Sequence, residues 1–498
     1  MILIIIIVLF MAINFNIFSH DAPDLKDVSY RSPCFAGSFY PSDADSLKSM
    51  INEFLNNAKK NEKIDDIKAI IVPHAGYIYS GWVAAVAFKQ IEGKNYDDVI
   101  IIAPSHAKYF KGACVFDGQA YMTPLGNALV DIEFVQSVSN IDKLVYYGRD
   151  GHEWYNNRQE HSLEVQLPFI QTVLPDLKIV PIVMGSQDNE TVNALFKAIV
   201  GVTNNLKRKV LIVASSDLSH YYEANIAKSK DQPILRAFYR YDYFKMALNF
   251  FSNQWEACGG GPIVAAMLIG EQLGANKCEP LFYANSSQSP YIKGDPKRVV
   301  GYFAGIIYND KREKIDLLPE FDETTKNLLL DIAKKKIEDI AYNRDSLYQL
   351  DIIPKELSNE YAVFVTIHKN GKLRGCMGQT IANNPLMLAV KEAAGLASSK
   401  DPRFPKIRPE ELDSLDIEIT VLSRMKRIID INEIVPGRDG VLLRLKNHSG
   451  LFLPQVATEQ NWDRKQLLQH LCLKAGLNLE DYKHPDAEIY IFQGKILK

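Results

Sequence analysis

The chain has 498 residues, 47% of them hydrophobic and 23% charged, with a formal net charge of −3. That length exceeds one ordinary core and predicts two or three domains, while the near-neutral balance argues against a nucleic-acid-binding surface or an acidic tail. Six cysteines (Cys34, Cys114, Cys258, Cys278, Cys376 and Cys472) form no C-x-x-C pair. This excludes zinc-finger and thioredoxin readings, and so sparse a set fits reduced thiols in a cytoplasmic protein.

Residues 1–18, MILIIIIVLFMAINFNIF, carry no charge and lie at the lower length limit of a membrane span. The segment 1–20 reads as a signal, an anchor or a miscalled translation start; the positive flank of a secretory signal is missing. If the segment is genuine, the expectation changes from cytoplasmic to membrane-anchored or exported, with membrane association through residues 1–18.

Four apolar runs follow: KAIIVPH, DDVIIIAPSH, KIVPIVMG and KVLIVASSD. Each is short, continuous and rich in Ile and Val, as expected of strands buried on both faces. Helical patterns such as SGWVAAVAFKQI and EVQLPFIQTVL lie between them. The alternation predicts an α/β domain over residues 30–309, with a mainly parallel sheet flanked by helices. Such sheets bind ligands beyond the carboxyl ends of their strands.

His74 closes the first run and His106 the second, so both imidazoles fall at one edge of the sheet. Paired histidines on rigid elements suit a metal ion, although each alone reads as a hydrogen-bonded loop residue. In RQEHSLEVQLP, Glu160 and Glu164 align at i, i+4 on a helix, a pattern equally fit for a solvated helix start; the sharper reading puts His161 in the cavity. In SSDLSH, Asp217 and His220 stand one helical turn apart and offer an acid–base pair, or a helix cap. CGGGP places Cys258 just before a helix N-terminus, where the dipole favours thiolate.

His74, His106 and Cys258 therefore form a candidate three-ligand site with open positions, and His220 and Asp217 are the acid–base candidates. The rival use of the same residues is a Cys258 nucleophile, with His220 or His161 as base and Asp217 or Glu164 as orienter. Tyr77 and Ser105, in the segments that carry the histidines, are candidate pocket residues. Fingerprints of serine hydrolases, zincins, P-loop proteins and Rossmann dinucleotide binders are absent.

The charged, proline-bearing stretch at 310–320 reads as a linker. Residues 321–498 then read as a smaller α+β domain. An amphipathic helix (DETTKNLLLDIAKKKIEDIAYN) precedes a hairpin turning at Asn370 and Gly371, and LDIEITVLS is a further strand. LRGCMG reads as a tight turn around Cys376, with Arg374 able to lower its pKa; Arg374 and Arg403 could bind an anion, and the competing reading is loop structure and packing.

Taken together, GSFYPSD, VPHAGYIYSG, APSH, TPLGNALVD, EHSLEVQLP, SSDLSH and CGGGPI resemble the Memo-like family. That resemblance implies a fold similar to the class III extradiol dioxygenases. It also implies a site at His74, His106 and Cys258 for one iron or copper ion per chain, with His220 in the acid–base place. Redox or oxygen chemistry on a small molecule or peptide is the activity expected. Cys258 stands where those dioxygenases keep a carboxylate; the softer ligand shifts metal preference and weakens any inference of ring cleavage. Gln166 and the glycines after Cys258 also leave fewer ionisable groups. KLRGCMGQT, SSKDPRFPKIRPEEL and GLFLPQVATEQNWD resemble the AMMECR-type domain. Fusion of the two is similar to the AmmeMemoRadiSam set, which implies a radical SAM protein as partner. The alternatives are a cysteine-dependent transferase or hydrolase and a non-enzymatic, metal-holding adaptor.

Overall fold

The computed structural model describes residues 29–498 apart from 154–157, 312–317, 319 and 345–354. The apolar segment 1–20 and most of the 310–320 linker lie outside the described residues. Among the described residues no helix is long and apolar enough to cross a membrane.

The four apolar runs become strands Asp66–Val72, Asp98–Pro104, Lys178–Met184 and Val210–Ser215. They lie side by side and parallel at the centre of a nine-stranded sheet, in the order 66–72, 210–215, 98–104, 178–184. The strand Val299–Asn309 pairs antiparallel with 66–72 and carries Lys277–Asn285 on its other side. At the opposite edge Ala113–Phe116 pairs antiparallel with 178–184 and parallel with Val145–Gly148. Every residue of 98–104 is buried, which requires helices over both faces. Tyr77–Ile91, Ala44–Asn57 and Leu167–Val173 pack together as one layer; Gly260–Gln272, Asn189–Leu206 and Tyr243–Phe251 belong to another. Each fully buried Ile or Val in this sandwich contributes about 1.5–3 kcal/mol.

The second domain opens with helix Glu323–Ala341, capped by Asp322, whose carboxylate accepts from the Thr325 N–H. Its sheet is antiparallel and seven-stranded: 372–378, 362–369, 415–422, 488–497, 439–445 and 448–452, with 426–428 also on 488–497. The hairpin turns at Asn370 and Gly371, both with positive φ (52° and 74°), as its Asn-Gly signal predicts. LRGCMG is therefore strand, not turn: Lys372–Gly378 pairs along Ala362–Lys369. A Cβ on Gly375 would sit 2.2 Å from the Ala397 carbonyl oxygen, so glycine is needed there for close helix–strand approach. The domains share core: Ala362, Leu422, Met425, Tyr490 and Phe492 join the apolar cluster of the first domain.

Candidate metal centre

All four parallel strands end at one rim, and three of them deliver the site. Strand 66–72 runs through Pro73 to His74, whose side chain is buried. The His74 N–H donates to Asp217 Oδ1 (2.8 Å), tying this loop to the one after strand 210–215. His74 Nδ1 lies 2.9 Å from Ser215 Oγ. That hydroxyl already donates to the Ser162 carbonyl (2.7 Å) and accepts from Gln166 Nε2 (3.0 Å). Nδ1 must therefore carry the proton, and Nε2 keeps a bare lone pair. Nε2 is buried and has no hydrogen-bond partner. Burial and the neighbouring imidazoles hold the His74 pKa far below the usual value, so the ring is neutral.

His106 follows strand 98–104 in the same way. Its Nδ1 is 2.9 Å from Glu160 Oε1, and a carboxylate only accepts, so Nε2 again faces outward. Glu160 Oε1 also accepts from the N–H groups of His161 (3.0 Å) and Ser162 (2.9 Å), and Oε2 from those of His106 and Ala107. Burial works against its charge, yet His106, His161 and these bonds bring its pKa down to about 2. For His106, burial opposes the charged form, but the bond and charge of Glu160 prevail and raise its pKa.

Cys258 is pinned through its backbone. Its N–H donates to the Asp217 carbonyl (3.1 Å), and its carbonyl accepts from Gln187 Nε2 (2.7 Å). A Cβ on Gly259 would lie 2.2 Å from the Ser215 carbonyl oxygen, so only glycine lets this chain approach the strand end. One donor atom each from His74, His106 and Cys258 lies within 4.8 Å of the others. Cys258 does precede helix Gly260–Gln272, as its sequence context predicts, but its surroundings act against the thiolate that the dipole favours. Burial, with the charges of Asp217, Glu160 and Glu256, pushes the thiol pKa well up.

His220 Nε2 stands 3.4 Å from Cys258 Sγ. Burial lowers its pKa, against the Leu218 backbone and Glu256, so it is neutral near pH 7. Asp217 and His220 do not share a helix as their spacing predicts. Residues 216–219 form neither helix nor strand, His220 begins the short strand His220–Tyr222, and Tyr221 takes φ 66°. Nor does Asp217 cap the next helix; it caps the His74 loop, and burial raises its pKa to about 7. His161 joins the cluster, its ring 4.8 Å from that of His106 and 5.3 Å from that of His74. Burial lowers its pKa to about 4.

Other expectations are corrected. Glu160 precedes the short 3-10 turn Glu164–Gln166, so the two acids share no α-helix. Glu164 is spent away from the cluster, on Arg31 (2.5 Å), Tyr40 Oη (2.6 Å) and the N–H groups of Cys34 and Phe35. Tyr77 is buried packing, its hydroxyl on the Val165 carbonyl (2.7 Å), and Ser105 closes a loop onto the Lys108 carbonyl (2.6 Å). In the second domain Arg374 is engaged by Glu411 (3.0 Å) and the Pro405 carbonyl (2.8 Å). Arg403 is engaged by Asp401 (2.7 Å). The Arg374 guanidinium is mostly buried in these bonds, whereas the Arg403 side chain stays half exposed. Sequence reading missed Ser215, Gln187 and Glu256 and undervalued Glu160. Their roles are hydrogen bonds across distant segments, and the one local signal was the Glu160–His161 adjacency.

A rim of imidazoles and one thiol on an α/β sheet, fused to a second domain, defines the class of protein. The Memo-like protein model matches residues 31–306 and the AMMECR1 model residues 330–497. The chain belongs to the Memo-like protein family and carries an AMMECR1 domain behind it. It is 35% identical over 286 residues to a MEMO1 family protein of Methanobrevibacter smithii, covering 99% of that protein and 55% of this chain. A MEMO1 family protein of Methanosarcina barkeri is 34% identical over 278 residues, covering 99% of that protein and 56% of this chain. Among solved structures, an uncharacterized protein from Pyrococcus horikoshii aligns with 32% identity over 92% of its chain and 35% of this one, at a TM-score of 0.34.

Proposed function

We propose that the rim is a metal centre in which His74 Nε2, His106 Nε2 and Cys258 Sγ hold one iron or copper ion for redox or oxygen chemistry on a small molecule or peptide. The observation that carries this reading is the bare, buried Nε2 of His74: it has no protein partner, and its other nitrogen is fixed by a saturated Ser215. An orphaned acceptor beside a second oriented imidazole and a thiol fits a borderline or soft cation. When bound, such an ion supplies Lewis acidity and a one-electron couple.

The protein's own groups do the rest. Ser215 and Glu160 fix the ring tautomers. The thiol proton of Cys258 has an acceptor in His220 Nε2 at 3.4 Å. Asp217, with a pKa of about 7, is a second group able to hold or release a proton near neutrality. Likeness to the class III extradiol dioxygenases belongs to this same proposal, with Cys258 as the departure that argues against ring cleavage. The AMMECR1 domain in one chain supports a radical-SAM-associated pathway with a radical SAM protein as partner.

The Cys258–His220 contact also favours a second reading, a cysteine nucleophile with His220 as base; the raised thiol pKa counts against it. Elemental analysis of anaerobically purified protein separates the two. Near one iron or copper per chain, lost in His74→Ala and His106→Ala, is the expected result. Metal-free protein whose Cys258 is alkylated rapidly by iodoacetamide would overturn the metal centre. Metal without turnover and a stably captured partner would mark an adaptor.

A further inference from the structure

Of the four parallel strands, 178–184 supplies no ligand, yet its loop reaches the site. Gln187, in that loop, holds the Cys258 turn at two points. Its Nε2 donates to the Cys258 carbonyl (2.7 Å), and its Oε1 accepts from the Gly261 N–H (2.8 Å). Two residues on, helix Asn189–Leu206 begins, capped by Asp188, whose carboxylate accepts from the Thr191 N–H (2.9 Å).

That helix is gripped by the second domain. Asn189, Asn193 and Lys197 recur every four residues and so form one stripe along the helix. All three meet the second domain's segment 485–488. The side-chain amides of Asn189 and Asn193 both donate to Glu488 Oε1, and Lys197 Nζ donates to the Pro485 carbonyl (2.5 Å). Glu488 is buried, and its other oxygen is fixed from behind. Tyr490 Oη donates to Oε2 (2.9 Å), and the Arg427 and Arg444 guanidinium groups lie 3.6 and 3.9 Å from it.

Helix Gly260–Gln272, which follows Cys258, is fastened at its far end. Arg424 Nη2 pairs with Glu271 Oε1 (2.5 Å). Tyr243 Oη donates to Glu271 Oε2 (2.6 Å) and accepts from the Arg427 N–H (2.6 Å). The two helices also pack against each other. Both segments that fix Cys258 are thus tied to the second domain. Without the grip on Asn189 and Asn193, the start of helix 189–206 is free to shift, and Gln187 shifts with it.

We propose that Glu488 is a positioning residue for Cys258: through Asn189, Asn193 and Gln187, the second domain holds the thiol in place at the rim. What the thiol does there rests on the metal-centre reading, whereas the grip is tested on metal-free protein.

Iodoacetamide labelling of the folded full chain in the presence of a chelator, read cysteine by cysteine by mass spectrometry, tests this. Cys114 and Cys472 are fully buried, one in the core of each domain, and report general loosening. Asn189→Ala/Asn193→Ala removes both donors and puts the best helix former in their place. Cys258 should then label at least about tenfold faster, as expected for loss of a hydrogen bond to a charged group, with Cys114 and Cys472 unchanged. Glu488→Ala should act likewise from the other domain. Adding the Asn pair to it should change nothing more, because both cut the same contact. If Glu488→Ala exposes Cys472, the Asn pair alone decides. Unchanged labelling of Cys258 in the Asn variant, an equal rise at Cys114 and Cys472, or additive effects of the two changes would overturn the proposal. Elemental analysis of the parent chain decides the metal centre separately: metal-free parent protein would sink that reading, and the labelling would still decide the grip.

Discussion

Both domains place a cysteine among glycines with charged groups nearby, yet they use it differently. Around Cys258 the neighbours orient the chemistry outward. Ser215 fixes His74 and Glu160 fixes His106, and the Nε2 of His74 is left without a partner in the cluster that includes the thiol. Around Cys376 the charges close on one another: Arg374 on Glu411, Arg403 on Asp401, and the Cys376 N–H on Asp401 as well (2.9 Å). The residue types are alike. A site arises where the surroundings leave one buried ligand atom of a group without a partner, and a scaffold where the charged groups are paired with one another.

The sharpest way to break this comparison is to remove a rim imidazole. His74→Ala should reduce bound metal from near one per chain to near none by elemental analysis, with little change in melting temperature. Next in size is Glu160→Gln, which spares the three donors but removes the carboxylate charge and turns one of its two accepting oxygens, each bonded to N–H groups around His106, into a donor. Metal affinity should fall about 10–100-fold, measured by chelator competition. Unchanged affinity would mean that the rim is not oriented from behind.

Around Cys376 the second domain should respond in stability alone. Arg374→Met leaves Glu411 partly buried without its bidentate partner, and should cost about 1–3 kcal/mol in denaturant unfolding with metal content unaltered. The same pair predicts an acid response. The Arg374 hydrogen bond lowers the Glu411 pKa from 4.5 to about 2, so this stabilisation is complete above pH 4.5 and is lost as pH falls toward 2. Melting temperature between pH 5 and 3 should therefore fall less steeply in Arg374→Met than in the parent chain. The smallest expected effect belongs to Cys376→Ser, which should leave metal content unchanged and shift the melting temperature by only a few degrees. A large loss of metal would erase the distinction between the domains.

The sequence by itself determined the strands, their burial and the edge at which the histidines stand. Continuous Ile/Val runs have one stable use, in a sheet covered on both faces, and His74 and His106 follow two such runs directly. It also determined the Asn370–Gly371 hairpin, because left-handed backbone is a local preference. The tertiary structure alone decided that Glu160, rather than Glu164, supports the site, and that Asp217 clamps the His74 loop rather than capping a helix. It also decided that burial and nearby carboxylates raise the thiol pKa of Cys258 despite the helix beside it. Those outcomes depend on hydrogen bonds and burial between segments far apart in the chain, and spacing along a sequence carries no information about either.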